Sequence, residues 1–341
     1  MTGNASFEYS RAALLAVTEV TAPTVTTSED LDEQLAGVLG RLRLPQGLLH
    51  RVAGVRTRRE WDDEVQDFQE AAAQAGTDAL AEAGIEASRV GLLINTSVSR
   101  AALEPSVAVR IHHLMGLPTS ATNFDITNAC LGFVNGIMLA SSLIEAGQLD
   151  YAVIVAAEDT SLVHEATIRN LHADSTHRGN FMEQFASLTL GSGAAAAVIG
   201  PRENHPEAHR IVRGITRAGS EHHGLCVGDH HGMYTDSNAL LTDGMGLVMD
   251  AWRDVPAEWD WNRLDRYITH QVSQLHTTAM VEQTGVDAAK VPVTFPELGN
   301  VGPASLPITL VREQARLSPG DRILCLGVGS GLNTAMLELE W

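Results

Sequence analysis

Asn123-Phe124-Asp125-Ile126-Thr127-Asn128-Ala129-Cys130-Leu131-Gly132-Phe133-Val134-Asn135-Gly136 reads as a polar turn giving way to a long, mostly apolar helix that should end near Gly147. Cys130 sits at the changeover. Unpaired backbone N–H groups and the helix macrodipole favour an anion there, so a thiolate with a lowered pKa is expected. Gly132 and Gly136 lie four apart on one helix face, where a second backbone can approach closely. On this segment alone the plainer reading leads: a small cysteine packed beside alanine. The remainder of the chain reverses it.

Outward from this segment, apolar strand-like runs recur at Val90 to Ile94, Tyr151 to Ala156, Ala194 to Ile199, Tyr267 to Thr269 and Ile323 to Leu326. Helical patterns such as Val65 to Ala83 separate them. The alternation predicts an α/β protein with mostly parallel strands. A charged, proline-bearing connector, Gly200 to Pro206, divides the chain into residues 1–203 and 204–341. Each part ends in a glycine-rich strand segment, Leu190 to Ile199 and Leu326 to Met336, which suggests two related halves. Ligands of open α/β sheets gather at the carboxyl ends of strands, so the polar segments after these runs are where chemistry is expected.

Two such segments carry suitable side chains. His270 follows Tyr267-Ile268-Thr269 and opens His270-Gln271-Val272. Asn300 lies in Gly299-Asn300-Val301-Gly302-Pro303-Ala304-Ser305, a constrained loop ahead of an apolar helix. Singly, the histidine reads as a helix cap and the asparagine as a turn residue. Together with a helix-start cysteine they form a set.

Asn128-Ala129-Cys130, His270-Gln271-Val272 and the Gly299 to Ser305 loop resemble the Cys-His-Asn signatures of the thiolase superfamily's ketosynthase III branch, and within it the OleA-type acyl-CoA condensing enzymes. Asn95-Thr96-Ser97-Val98, Leu103-Glu104-Pro105-Ser106, Leu188-Thr189-Leu190-Gly191 and Gly329-Ser330-Gly331-Leu332-Asn333 carry the likeness from about Val90 to the C-terminus. Gly54-Val55-Arg56 fits more loosely. The resemblance implies a thiolase fold, with two βαβ-type halves in five αβαβα layers. It also implies a homodimer, or a mixed dimer with a paralogue. It assigns Cys130 as the acylated nucleophile and His270 and Asn300 as hydrogen-bond donors to the second substrate's enolate. The backbone amides of Cys130 and Ser330 would form the oxyanion hole. Both side chains can present N–H groups, which suits that role. Fatty acyl-CoAs are the implied substrates, with no cofactor beyond those thioesters.

One residue decides the reaction class. A decarboxylating ketosynthase makes its carbanion by losing carbon dioxide, whereas joining two simple acyl-CoAs requires removal of an α-proton by a positioned base. Glu104 matches the OleA-type glutamate that reaches into the partner subunit's site. A lipid-facing pocket there would desolvate the carboxylate and raise its pKa. The plain alternative is a solvated loop glutamate before proline.

Net charge is −19, with no basic run, which argues against a nucleic-acid partner. Arg56 to Arg59 is one place where an acidic chain could gather arginines for coenzyme A. The N-terminal residues lack a signal-peptide plan, and no apolar stretch approaches the ~20 residues needed to span a bilayer. Three scattered cysteines suit a reduced, cytoplasmic protein. His222-His223, Cys226 and His230-His231 read as a polar surface segment, because adjacent histidines seldom converge on zinc. Cys226 and Cys325 read as structural, and Gly327 to Gly331 lacks the lysine of a P-loop. Three other functions compete. One is a malonyl-dependent ketosynthase III. Another is a papain-like hydrolase, which shares the order Cys, His, Asn but whose cysteine signature is absent. The third is a non-catalytic subunit, against which the intact Cys130, His270, Asn300 and Glu104 speak.

Overall fold

The computed structural model describes residues 6–62, 64–229 and 231–341. Its first half begins with β1 (Ser6–Glu8), β2 (Ala12–Val20) and β3 (Thr24–Thr27). Short helices α1 (Ser28–Gln34), α2 (Ala36–Leu42) and α3 (Leu48–Ala53) precede β4 (Thr57–Glu60). Then come α4 (Phe68–Ala83), β5 (Leu92–Asn95), α5 (Val107–Leu114), β6 (Thr122–Asp125), α6 (Gly132–Glu145) and β7 (Ala152–Glu158). Helices α7 (Ser161–Leu171) and α8 (Arg178–Gln184) lead to β8 (Gly193–Pro201). The second half runs from β9 (His209–Ala218) through the hairpin β10 (Cys226–Asp229) and β11 (Gly232–Thr235) to α9 (Ser237–Asp254) and β12 (Arg266–Thr269). It closes with α10 (Gln274–Thr284), α11 (Phe295–Leu298), α12 (Ser305–Glu313), β13 (Arg322–Gly329) and β14 (Asn333–Glu340).

The main sheet has the order β12-β13-β14-β9-β2-β8-β7-β5-β6, with β1 beside β9. β2 and β9 meet only at Ala13–Arg210 and Leu14–His209, so two sheets are joined by a narrow seam. On either side of the seam the order is the same: β2-β8-β7-β5 answers to β9-β14-β13-β12. The sequence predicts mostly parallel strands, and the structure corrects this: most pairings of the main sheet are antiparallel. Only β5–β6, β5–β7 and β12–β13 run parallel among the described pairings of this sheet. The short Ser330–Leu332 connection between β13 and β14 can join only antiparallel strands. β8 is buried along its whole length, so its sequence reads the same in either direction.

Side-chain alternation along β7 builds the layers. Ala152, Ile154 and Ala156 face a core shared with Phe133 and Ile137 of α6, Leu306 of α12 and Leu337 of β14. Val153, Val155 and Ala157 face the opposite way, onto α4 and Ile111 of α5. Beyond the second sheet, Met245 and Val248 of α9 and Met280 of α10 pack on Tyr267 and Leu324. The sequence of layers is therefore α4/α5, sheet, α6/α12, sheet, α9/α10. Small residues make the close packing possible. α4 turns Ala71, Ala72, Ala75 and Ala79 inward, and β8 offers Ala194 to Ala197. α4 is also well bounded: Asp67 and Glu70 form a reciprocal capping box, and Gly84 closes it at φ +66°. Among the described residues, no helix is long and apolar enough to cross a membrane.

Candidate active site

The chain bends sharply to place Cys130 two residues ahead of α6. Ala129 adopts φ +44°, a left-handed conformation that costs a residue with Cβ about 1–3 kcal/mol. Asn128 holds the bend. Its Nδ2 donates to Asn135 Oδ1 on α6 at 2.7 Å, and its Oδ1 accepts from Asn333 Nδ2 on β14 at 3.2 Å. The close backbone approach read from the glycine pair occurs at Gly132, where a Cβ would lie 2.7 Å from the Thr96 carbonyl. At Gly136 the neighbour is instead the Ile154 side chain.

The thiol lacks the lowered pKa that its place at a helix start predicts. Burial pushes Cys130 up to about 12, with further increments from Cys226 and Glu158. A helix end attracts an anion, but removing that anion from water costs more here. Cys226, read from sequence as merely structural, is thus an electrostatic neighbour of Cys130. Cys130 rests as a neutral thiol. Its alkylation by iodoacetamide, followed by peptide mass spectrometry, should keep accelerating between about pH 7 and about pH 10. A plateau already reached near pH 8 would show a thiolate of low pKa.

His270 is the first residue beyond β12, and its amide continues the strand register by donating to Leu326 O at 2.8 Å. The side chain is buried. Burial pushes the imidazole down to about 3, aided by His276, so it is neutral at physiological pH. Its Nδ1 has no hydrogen-bond partner among the described residues. Gln271 anchors this segment to the loop before α11, donating to Thr269 O at 2.9 Å and accepting from Thr294 N at 2.7 Å. An apolar cleft lined by Leu241, Met245, Val248, Met280 and Leu326 reaches His270.

Asn300 precedes α12 much as Cys130 precedes α6. Its amide donates to Thr189 O and its carbonyl accepts from Gly191 N, both at 2.9 Å. Oδ1 accepts from Gly302 N at 3.0 Å, which leaves Nδ2 as the donor end. Gly299 permits this course at φ +68°, where a Cβ would meet Thr189 O at 2.5 Å.

Contacts tie these segments together. A Cβ on Gly327 would lie 2.8 Å from Leu131 and 3.4 Å from His270, so β13 is the surface on which the cysteine and histidine segments meet. Gly329, next to Ser330, lies against Asn128 O and Ala129. Glu158, at the end of β7, faces Cys130 electrostatically and packs on Gly302. Burial pushes its carboxyl up to about 7, against hydrogen bonds from Val98 and Ser99 that lower it. Cys130, His270, Asn300 and the Ser330 turn are thus gathered into one region. Glu104 is not. It occupies an exposed loop, so the desolvation predicted for it does not occur within a single chain.

Glu158 escapes sequence reading, and its one signal is a carboxylate at a strand's carboxyl end. The arginine run does not form one patch. Arg56 is exposed and pairs with Glu297 at 3.5 Å, whereas Arg58 is fully buried and pushed down to about 10 by that burial. His222 Nδ1 pairs with Asp243 at 3.2 Å, and His230 lies outside the described residues.

Residues 55–201 match the family described as thiolase, N-terminal domain, and residues 256–341 match 3-oxoacyl-[acyl-carrier-protein (ACP)] synthase III C terminal. The chain is 40% identical to the acyl-CoA:acyl-CoA alkyltransferase of Xanthomonas campestris, across 98% of its own length and 99% of the relative's. The Shewanella oneidensis enzyme of the same name is 33% identical, across 98% and 100%. A beta-ketoacyl-[acyl-carrier-protein] synthase III from Geobacillus kaustophilus is 26% identical, across 84% and 87%. A histidine variant of Xanthomonas campestris OleA superposes with a TM-score of 0.94 at 40% identity, covering 98% of this chain and 99% of that one. A cysteine-to-serine variant with bound lauric acid and lauroyl-CoA gives 0.93 at 39%, covering 98% and 100%. Variants at a glutamate are similarly close in structure. The likeness extends over nearly the whole chain and includes the segments that carry the cysteine, histidine and asparagine, so this protein belongs to the acyl-CoA:acyl-CoA alkyltransferase (OleA) family of thiolase-fold acyltransferases.

Proposed function

We propose that this enzyme joins two fatty acyl-CoAs head to head by non-decarboxylative Claisen condensation, giving a 2-alkyl-3-keto acid and free CoA. The observation that carries this reading is a buried, neutral imidazole gathered with a thiol and a carboxamide donor, at the end of an apolar cleft. Cys130 attacks the first thioester, and its proton leaves with the departing CoA thiol. The amides of Cys130 and Ser330 hold the oxyanion of that step. His270 and Asn300 then donate to the second thioester's oxygen while the partner subunit's Glu104 removes the α-proton. The carbanion displaces Cys130 from its acyl group, giving a 2-alkyl-3-ketoacyl-CoA, and the Cys130 thiolate takes up the proton held by Glu104, which restores the carboxylate. Water, activated by the same carboxylate, cleaves that thioester. A homodimer, a cytoplasmic location and the absence of any cofactor beyond the CoA thioesters belong to this reading.

The purified protein supplied with a long-chain acyl-CoA alone should release CoA and accumulate the keto acid, followed by thiol titration and mass spectrometry. A requirement for malonyl-CoA or malonyl-acyl carrier protein would replace this reading with that of a decarboxylating ketosynthase III.

A further inference from the structure

Five exposed residues, 101–105, form the tip that carries Glu104, and both stems of that tip end on carboxylates held inside the protein. On the first stem, Glu158 Oε1 accepts from Val98 N at 2.7 Å. Its Oε2 accepts from Ser99 N at 3.1 Å and Ser99 Oγ at 2.7 Å. On the second, Asp125 accepts from Val107 N at 3.0 Å and Ala108 N at 2.9 Å, the opening amides of α5. Asn95 Nδ2 at 3.1 Å and Arg100 Nη1 at 3.2 Å complete its coordination. Arg100 also donates to Thr127 Oγ1, three residues ahead of Cys130.

We propose that Glu158 and Asp125 are positioning residues that clamp the two stems of this loop and so aim Glu104 away from its own chain. The proposal rests on the reading of Glu104 as the base. A base works only when held close to its target geometry, and a displacement of about 1 Å can cost ~10²-fold in rate. The tip cannot hold itself: Leu103 is 89% exposed, and Glu104 is the one charged side chain of the five. Within its own chain, its aim therefore comes from the stems. Carboxylates placed inside a protein are costly unless fully hydrogen-bonded, and among the described residues every hydrogen bond to the Glu158 carboxylate comes from this loop. Through Arg100 and Thr127, the loop also shares an anchor with the nucleophile segment of its own chain.

The test is a double-mutant comparison. Glu158→Gln and Asp125→Asn, alone and combined with Glu104→Gln, are assayed for acylation of Cys130 and for condensation. Asp125→Asn should slow condensation far more than acylation, and each single variant should lower condensation by up to ~10²-fold. Neither should lower it further in the Glu104→Gln background, because a misaimed glutamine costs nothing more. Equal fractional losses in both backgrounds would overturn the proposal, as would acylation falling in step with condensation in Asp125→Asn. Parental condensation by Glu104→Gln alone would instead overturn the base assignment, and the clamp with it. Should Glu158→Gln fail to fold, Ser99→Ala removes the hydroxyl's bond to Glu158 together with its contacts to the Asp159 backbone, leaves the carboxylate in place and supports the same comparison at smaller amplitude.

Discussion

Cys130→Ala protein incubated with a long-chain acyl-CoA should show no acyl adduct by intact-protein mass spectrometry, and condensation should fall on the order of 10⁶-fold, the scale seen when a covalent nucleophile is removed. The substitution is small, so the bend at Ala129 and its Asn128 ties should persist and the loss should be chemical. The residue that could mask the effect is Cys226, an electrostatic neighbour of Cys130. Burial raises its thiol as well, and Thr235 Oγ1 lies 3.5 Å from its sulfur. A surviving adduct that disappears only on further substitution of Cys226 would move the nucleophile there.

Glu104→Gln should separate the two halves of the reaction. Acylation needs Cys130 and the oxyanion hole, neither of which involves Glu104, and should continue. Condensation needs a base for the α-proton. His270 is buried and neutral, and an imidazole donating its N–H to the enolate oxygen is poorly placed to generate that enolate. Losing a positioned general base commonly costs ~10²–10⁴-fold, and condensation should fall by about that factor. Because Glu104 is exposed on its own chain, the shared-site reading adds a complementation test. Mixed dimers of Glu104→Gln and Cys130→Ala protein contain one complete site and should recover activity. No recovery in verified mixed dimers would place Glu104 outside the partner's site. Parental condensation by the Glu104→Gln protein would remove it from catalysis.

Cys130 and Asn300 are legible as junctions between elements, with glycine or proline close by, and His270 as the end of an apolar strand run. Such signals are local. Strand direction was not legible, since β8, buried along its whole length, carries the same alanine run whichever way it points. Nor was the charge state of Cys130. Its pKa is set first by burial and then by Cys226 and Glu158, and the fold alone creates that burial and brings those distant residues close. The stems of the Glu104 loop show the same limit. Glu158 meets Val98 and Ser99 across some sixty positions, and nothing in Ala157-Glu158-Asp159 names those partners.

Cys130 and Asn300 stand at the heads of two equivalent helices, α6 and α12, which lie in one shared layer. The gap between Cys130 and Asn300 therefore depends on the core that both halves fill between these helices, as well as on the hydrogen bonds that hold Asn128 and Asn300. Trimming Ile137 or Leu306 to alanine would cost ~2–5 kcal/mol, as any large core truncation does, and would also let the two helix heads drift. The same truncation at Val248, beyond the second sheet, would weaken the fold and leave that gap alone. Central core volume therefore bears on the spacing of Cys130 and Asn300 as well as on stability, so a truncation there is expected to change both.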